Sequence, residues 1–366
     1  MPDMPVRADG SAGEFDAILF LSFGGPEGPD DVMPFLENVT RGRGVPRERL
    51  EEVAHHYMHF GGVSPINQLN RDMIASLRAE LDARGTDLPI YFGNRNWYPL
   101  VADTLVQMYD DGHRRILAFA TSAWGGYSGC RQYHEDIERS LVALHEARPQ
   151  SVSADPVLVR KLPQFWDRSA TLTAGRDAVL RAASRLPAAD VPPRLVCTAH
   201  SIPIVADAAS GPEADGGQLY SRQVAQAAQR VAEMAGFAGH DQVWQSRSGP
   251  PQVPWLEPDI CDHLEAIAAQ GVSQVIVFPV GFVSDHVEVV WDLDNEAAQL
   301  ADELGLDYVR AETVGTDPRF IAMVADLVDE YRRGTGDLDV LGVGDSGTPC
   351  GDGCCGRSVR RPATRP

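Results

Sequence analysis

Eight short β-rich apolar runs punctuate this chain, and stretches with helical periodicity separate most of them. The runs read as strands are 17–23, 89–92, 116–121, 157–161, 195–198, 242–245, 275–280 and 308–310, with helical patterns such as 71–84, 128–146 and 221–236 in between. Strands separated by helices pair in parallel, because a parallel connection needs a crossover long enough to cover a sheet face. Four strands fall in each half. The expected fold is therefore α/β, with two similar domains, each a parallel four-stranded sheet flanked by helices, and a cleft between them. The expected division is a disordered lead-in over 1–14, a first domain over 15–165 plus 315–333, a second over 166–314, and a tail over 334–366. A last helix over 317–333 is expected to cross back onto the first domain.

A chain of 366 residues that is 43% hydrophobic has room for two such cores. Its formal net charge of −20 excludes a general nucleic-acid binder and an anionic membrane surface as main partner. It does not exclude an anionic small molecule, since TRGRGVPRER gathers Arg41, Arg43, Arg47 and Arg49 locally. The longest apolar stretch, 275–283, is interrupted by Pro279 and Gly281 and is too short to span a bilayer. The first fifteen residues hold no apolar core of a signal peptide, so a cytoplasmic location is expected. From residue 334 the composition turns Gly-, Asp- and then Arg/Pro-rich, which cannot bury a core.

Two segments carry the chemistry. His200 closes the run RLVCTAHSIP, at the carboxyl end of a parallel strand where open α/β sheets place their ligands. In SDHVEVVWDLDNE, Glu288, Asp292 and Glu296 recur every four residues and so share one helix face. An imidazole and a row of carboxylates on a common cleft would capture a divalent cation and move protons. The plainer readings are a core or capping histidine and a solvated acidic helix. His55, His56 and His59 in HHYMH lack the Glu of a zinc-protease motif and a third ligand, so packing or solvation suits them better. The glycines of SFGGPEGPDD do not follow the dinucleotide spacing, and Pro26 removes an amide where phosphate would need one. Gly24 and Gly25 there suit close approach of a flat ligand. Trp124, Tyr127, Tyr133, Trp244 and Trp255 at strand ends are a surplus of aromatic surface that also suits a flat aromatic ligand with anionic edges, although some must be core. Among six cysteines, Cys197 and Cys261 read as core thiols, whereas Cys350, Cys354 and Cys355 crowd the tail in a way that favours metal or cluster binding over disulfides.

Together these segments resemble the ferrochelatases, in particular the actinobacterial coproporphyrin ferrochelatases, over residues 15–333. The matching stretches are LSFGGPEGPDDVMPFLENVTRGRGVP, HFGGVSPIN, YFGNRNWYP, TSAWGGYSGCRQY, TAHSIP, LYSRQV, WQSRSGPPQVPWLEPD and GFVSDHVEVVWDLDNE, in order. The resemblance implies two Rossmann-like, chelatase-type domains around a porphyrin cleft. It implies insertion of Fe²⁺ into coproporphyrin III, giving Fe-coproporphyrin III in haem biosynthesis. By position it makes His200 and Glu288 the ferrous-iron and catalytic site, with Asp292 and Glu296 continuing an acidic path. It makes Ser64 and Tyr133 porphyrin contacts and Arg41 and Arg43 propionate neighbours. Some relatives have an axial Tyr where this chain has Phe23, which cannot ligate. Some relatives hold a [2Fe–2S] cluster on one internal and three C-terminal cysteines, and Cys130, Cys350, Cys354 and Cys355 match that pattern, with zinc or a loose thiol cluster as the alternative. Ferrous iron is thus substrate and the cluster a resident cofactor. The rival readings are a protoporphyrin IX ferrochelatase, a cobalt chelatase of corrin synthesis, and a non-catalytic haem or iron–sulfur carrier. A monomer is expected, in transient contact with the preceding and following haem-pathway enzymes.

Overall fold

The computed structural model describes residues 14–42, 44–249, 252–333 and 354–356. The expected lead-in, the remainder of the tail, Arg43 and Cys350 lie outside the described residues. All eight expected strands form: β1 (Ala17–Ser22), β2 (Ile90–Asn94), β3 (Arg115–Ala120), β4 (Leu158–Lys161), β5 (Arg194–His200), β6 (Asp241–Gln245), β7 (Gln274–Phe278) and β8 (Asp307–Arg310). They make two parallel four-stranded sheets of identical plan, β2-β1-β3-β4 and β6-β5-β7-β8. β1 and β7 are buried at every residue, as strands covered by helices on both faces must be.

Several strand ends differ from the sequence expectation by a residue or two, and at β1 and β7 the reason is local. β1 stops at Ser22 because Gly24 turns the chain at φ +83°, where a Cβ would come within 2.8 Å of Asn94. That leaves Phe23 outside the sheet and 38% exposed. β7 stops at Phe278 because Pro279 has no amide to give, and Gly281 then folds over Ala199, its own amide reaching the Thr198 carbonyl at 3.1 Å.

In each sheet the chain leaves the first central strand toward one edge and returns to the other side of it, between β1 and β3 and between β5 and β7. Such a switch point opens a crevice at the carboxyl ends of the strands. The two sheets share one core. Phe20, Phe119, Phe165 and Phe320 from the first sheet's side pack in one cluster with Cys197, Ile276 and Phe278 from the second. Trp124, beyond β3, donates to the Gly281 carbonyl at 2.8 Å, and the Gly125 amide donates to Gln223 at 2.7 Å. The last helix, Pro318–Arg332, packs on helix Ile66–Ala83 and on β3 as well as on helix Ser169–Ala183. No helix among the described residues is long and apolar enough to cross a membrane.

Candidate active site

β5 delivers His200 and the chain beyond β7 delivers Glu288, so neighbouring strands of one sheet carry both. The imidazole Nε2 stands 3.7 Å from the Glu288 carboxylate, and the two side chains keep 36% and 43% of their surface in solvent. His200 Nδ1 lies 2.6 Å from the Ser201 carbonyl. A carbonyl can only accept, so Nδ1 carries the hydrogen and the neutral ring's lone pair is on Nε2, facing Glu288. Tyr220 fixes the backbone there, its hydroxyl donating to the His200 carbonyl at 2.8 Å.

Burial alone would push the His200 pKa down. The carboxylate of Glu288 3.7 Å away, the Ser201 carbonyl and the charge of Asp292 outweigh it, and the pKa is raised above the ordinary 6.5. Burial likewise works against the Glu288 anion, but His200, with His286 and His56, holds it down at about 2. The resting pair is therefore imidazolium–carboxylate at mildly acidic pH.

The carboxylate row is one continuous helical segment but not a regular α-helix. It runs α over Val287–Val290, π over Trp291–Glu296 and α again over Ala297–Glu303. π-turns are uncommon and frequent at functional sites. Asp292 is near enough to Glu288 and Glu296 to feel both charges. Burial first, and those charges next, bring its carboxyl up to about 7 despite hydrogen bonds from Ser246 and from Gln245 at 3.1 Å. Glu296 is exposed and accepts from the Trp291 indole at 2.8 Å, a five-residue pairing that suits a π-turn.

Several neighbours were not anticipated from sequence. Ser246, in WQSRSGPPQVPW, takes φ +62°, an uncommon conformation for a non-glycine residue, and aims its hydroxyl at Asp292. His286 flanks Glu288, and burial lowers its pKa although Glu288 pulls the other way. His56 stacks on Trp291 with ring centroids 4.0 Å apart and His59 meets it edge-on at 5.5 Å, so HHYMH packs the helix Arg47–His59 onto the π-turn. The signal for His286 lay two residues before Glu288. For Ser246 and His56 it lay only in partners far along the chain.

The remaining expected site residues are dispersed. Ser64 is buried under the Gly25 turn, where a Cβ on Gly25 would come within 2.6 Å of it. Tyr133 is buried beneath Arg95, whose guanidinium stacks on its ring at 4.4 Å and pairs with Asp136. Arg41 is exposed in the turn after helix Pro29–Val39. Trp124, Trp244 and Trp255 are buried too, so most of the aromatic surplus is core. Phe23 and Tyr98 are the exposed aromatic rings, linked through Phe35 and Trp97.

Cys354 and Cys355 lie with their sulfurs 3.5 Å apart, and Cys355 Sγ accepts the Gly211 amide at 3.1 Å. The Gly126 amide also faces Cys355, and Gly126 opens the turn that carries buried Cys130. Cys354 and burial push the Cys355 thiol up, and the two amides pull the other way. Cys197 is fully buried and Cys261 half-buried. Among the described residues, no group of three or more His, Cys, Asp or Glu forms a metal cage.

Paired four-stranded parallel sheets, with a titratable pair at the carboxyl edge of the second, define a chelatase-type fold. Bacillus subtilis SirB with Fe³⁺ superposes at a TM-score of 0.53, covering 89% of this chain and 100% of SirB at 12% identity, a likeness that carries the fold alone. The sirohydrochlorin chelatase SirB from the spizizenii subspecies, in complex with cobalt, gives 0.50 over the same shares at the same identity. The family model named Ferrochelatase matches residues 15–332, and the chain belongs to that family. The coproporphyrin III ferrochelatase of Nocardia farcinica is 60% identical over 354 residues, 95% of this chain and 98% of that one. That of Mycolicibacterium smegmatis is 56% identical over 349 residues, 93% and 99% of the two chains.

Proposed function

We propose that this chain inserts Fe²⁺ into coproporphyrin III, yielding Fe-coproporphyrin III and two protons in the cytoplasmic haem pathway. The observation that carries the reading is the His200 lone pair on Nε2, aimed at Glu288 from 3.7 Å at the crevice edge. Relatives bearing that activity in their names, at 52–60% identity, support the choice of macrocycle.

Metal insertion transfers no electrons. Two pyrrole N–H bonds break and four Fe–N bonds form. The pair offers two donors to the cation and leaves its other positions to water and the macrocycle. Once the cation has passed from Nε2 to the macrocycle, neutral Nε2 accepts one pyrrole proton and the Asp292 carboxylate the other, and both leave to solvent past exposed Glu296. Asp292, poised at about 7, can hold or release a proton at working pH. Arg41 and Arg43 are propionate neighbours in this reading, with Ser64 and Tyr133 supporting the walls that the macrocycle meets. The enzyme acts as a monomer, in transient contact with the pathway enzymes before and after it, and its domains divide as 15–165 with 315–333 and 166–314.

Cys130, Cys350, Cys354 and Cys355 would hold a [2Fe–2S] cluster. Two adjacent thiols facing backbone amides beside the Cys130 turn fit such a group, which supplies a structural cross-link rather than a step of insertion. Cys354→Ser should bleach the visible absorption of the purified protein and leave the His200–Glu288 pair intact. A wild-type protein purified anaerobically without acid-labile sulfide would refute the cluster.

The test of the activity is anaerobic incubation with Fe²⁺ and coproporphyrin III, following loss of free-base absorption. Parallel reactions contain protoporphyrin IX, or sirohydrochlorin with Co²⁺. Coproporphyrin III should be metallated with the highest kcat/KM, and His200→Ala and Glu288→Gln should each lose about 10²- to 10⁴-fold. Preference for either other macrocycle, or near-normal turnover in either variant, would overturn the reading.

A further inference from the structure

The segment that carries the carboxylate row is held by one strand. Alternate residues of a strand share a face, and on β8 those residues are Tyr308 and Arg310. The Tyr308 hydroxyl donates to the Leu293 carbonyl, inside the π-turn, at 2.9 Å. Arg310 makes four hydrogen bonds: two to Asp285 at 3.0 and 3.1 Å, and two to Asp294 at 2.6 and 2.8 Å. Its side chain is only 17% exposed. Asp285 lies in the loop before Glu288, and Asp294 lies two residues beyond Asp292. One guanidinium therefore staples both ends of the stretch that bears Glu288 and Asp292.

The physical need for such a staple is plain. A π-turn shifts the backbone ladder from i−4 to i−5, a spacing helices rarely adopt without outside support. The Tyr308 hydroxyl gives one carbonyl of that turn an outside partner. Asp285 and Asp294 add two negative charges to a segment that already carries Glu288, Asp292 and Glu296, and Arg310 offsets the repulsion. Its planar fork also fixes direction at two carboxylates at once, which a point-charge ammonium cannot do. No hydrogen bond links either β8 residue to His200 or Glu288.

We infer that Arg310, assisted by Tyr308, is a positioning residue that sets the spacing of Glu288 and Asp292 and so the grip of the site on the entering cation. This rests on the assignment of Glu288 as an iron-holding residue made above.

The test is anaerobic steady-state kinetics with Fe²⁺ and coproporphyrin III varied in turn, on wild type, Arg310→Gln, Arg310→Lys, Tyr308→Phe and Glu288→Gln, each with its melting curve. Arg310→Gln should raise the Fe²⁺ KM or lower kcat by about ten- to a hundredfold, the usual effect of losing a residue that orients a metal-holding group, with the coproporphyrin KM unchanged. Tyr308→Phe should move the same parameters the same way by less, and it decides the matter if Arg310→Gln does not fold. Titration of the porphyrin-free protein with Co²⁺, read by its visible absorption, should show the same order of weakening. A lowered melting temperature with wild-type Fe²⁺ parameters would overturn the inference, as would full rescue by Arg310→Lys or an effect confined to the coproporphyrin KM. If Glu288→Gln is inactive while the β8 variants are normal, only this inference fails. If Glu288→Gln turns over normally, the parent assignment fails first.

Discussion

Removing the charge of Glu288 should reverse the direction of the His200 pKa shift. Glu288→Gln keeps shape and hydrogen-bonding capacity and deletes one negative charge 3.7 Å from Nε2. Coulomb's law at that separation gives about 1.1 kcal/mol in water and about 4.5 kcal/mol at an effective dielectric of roughly 20. Because the two side chains are 36% and 43% exposed, solvent screening favours the lower part of that range. At about 1.4 kcal/mol per unit, the His200 pKa should fall by one unit or somewhat more. Burial, which opposes the proton, stays in place, so the variant should titrate below the ordinary 6.5 rather than above it. The assay is a pH series of proton–carbon correlation spectra on iron-free, histidine-labelled protein. Ten histidines are present, and the His200 signal is the one lost in His200→Asn. A signal that titrates at the same pH in both proteins, or at higher pH in Glu288→Gln, would refute the electrostatic account.

The signs of the linked stability effects follow. The raised His200 pKa contributes stability that is fully present below the unfolded value near 6.5 and lost as pH rises through the folded value. The lowered Glu288 pKa contributes stability present above the unfolded value of 4.5 and lost as pH falls toward about 2. The pair therefore supports the fold most between those two ordinary values. Iron insertion has the opposite preference on its acid side, because protonated Nε2 can neither accept a pyrrole proton nor hold iron. Insertion should fall as pH drops through the raised His200 pKa.

Asp292 gives the reverse stability trend: its carboxyl is raised to about 7, so ionisation destabilises the fold as pH climbs from 3.8 to that value. In iron-free protein, Asp292→Asn should raise the melting temperature at pH 8 and leave it unchanged at pH 4; a gain equal at both would count against a buried ionisation. Gly281→Ala should lower stability by about 1–3 kcal/mol, as overpacking does, because the added Cβ would meet Ala199 at 2.5 Å beside the pair, and a melting curve unmoved from wild type would show that the floor of the site can yield.

The architecture was legible because central parallel strands covered on both faces must be apolar, as in β1 and β7, and short β-rich runs alternate with helical stretches along the chain. The misread boundaries at β1 and β7 lay where Gly24 and Pro279 stop a strand inside an apolar run, a backbone effect that side-chain hydropathy cannot register. His200 and Glu288 were legible for a complementary reason. His200 is a titratable residue that ends a central strand, where a parallel sheet exposes its carboxyl edge, and Glu288 is one in the segment that follows the neighbouring strand. Some of the aromatic surplus is core, as expected: Trp124 and Trp244 belong to the cluster on which the two sheets meet and Trp255 is buried, and spacing in the chain does not distinguish a core ring from a wall ring.

The carboxylate row marks the limit of a periodicity argument. A four-residue recurrence of Glu288, Asp292 and Glu296 fits an α-helix, and although Val, Trp, Asp and Asn are mediocre helix formers, VEVVWDLDNE holds no Gly or Pro to break one. The chain nevertheless takes a π-turn from Trp291 to Glu296, and what accompanies it is remote: His56 stacked on Trp291, Tyr308 on the Leu293 carbonyl, and Arg310 between Asp285 and Asp294. None of these partners lies within a helical turn of the segment. The residues that hold charge were readable because their chemistry is local to each side chain. Their spacing was not, because it is set by helix Arg47–His59 on one side and β8 on the other. A site that takes up a dication needs both, and a substitution in β8 can therefore change its chemistry without touching a carboxylate of the row.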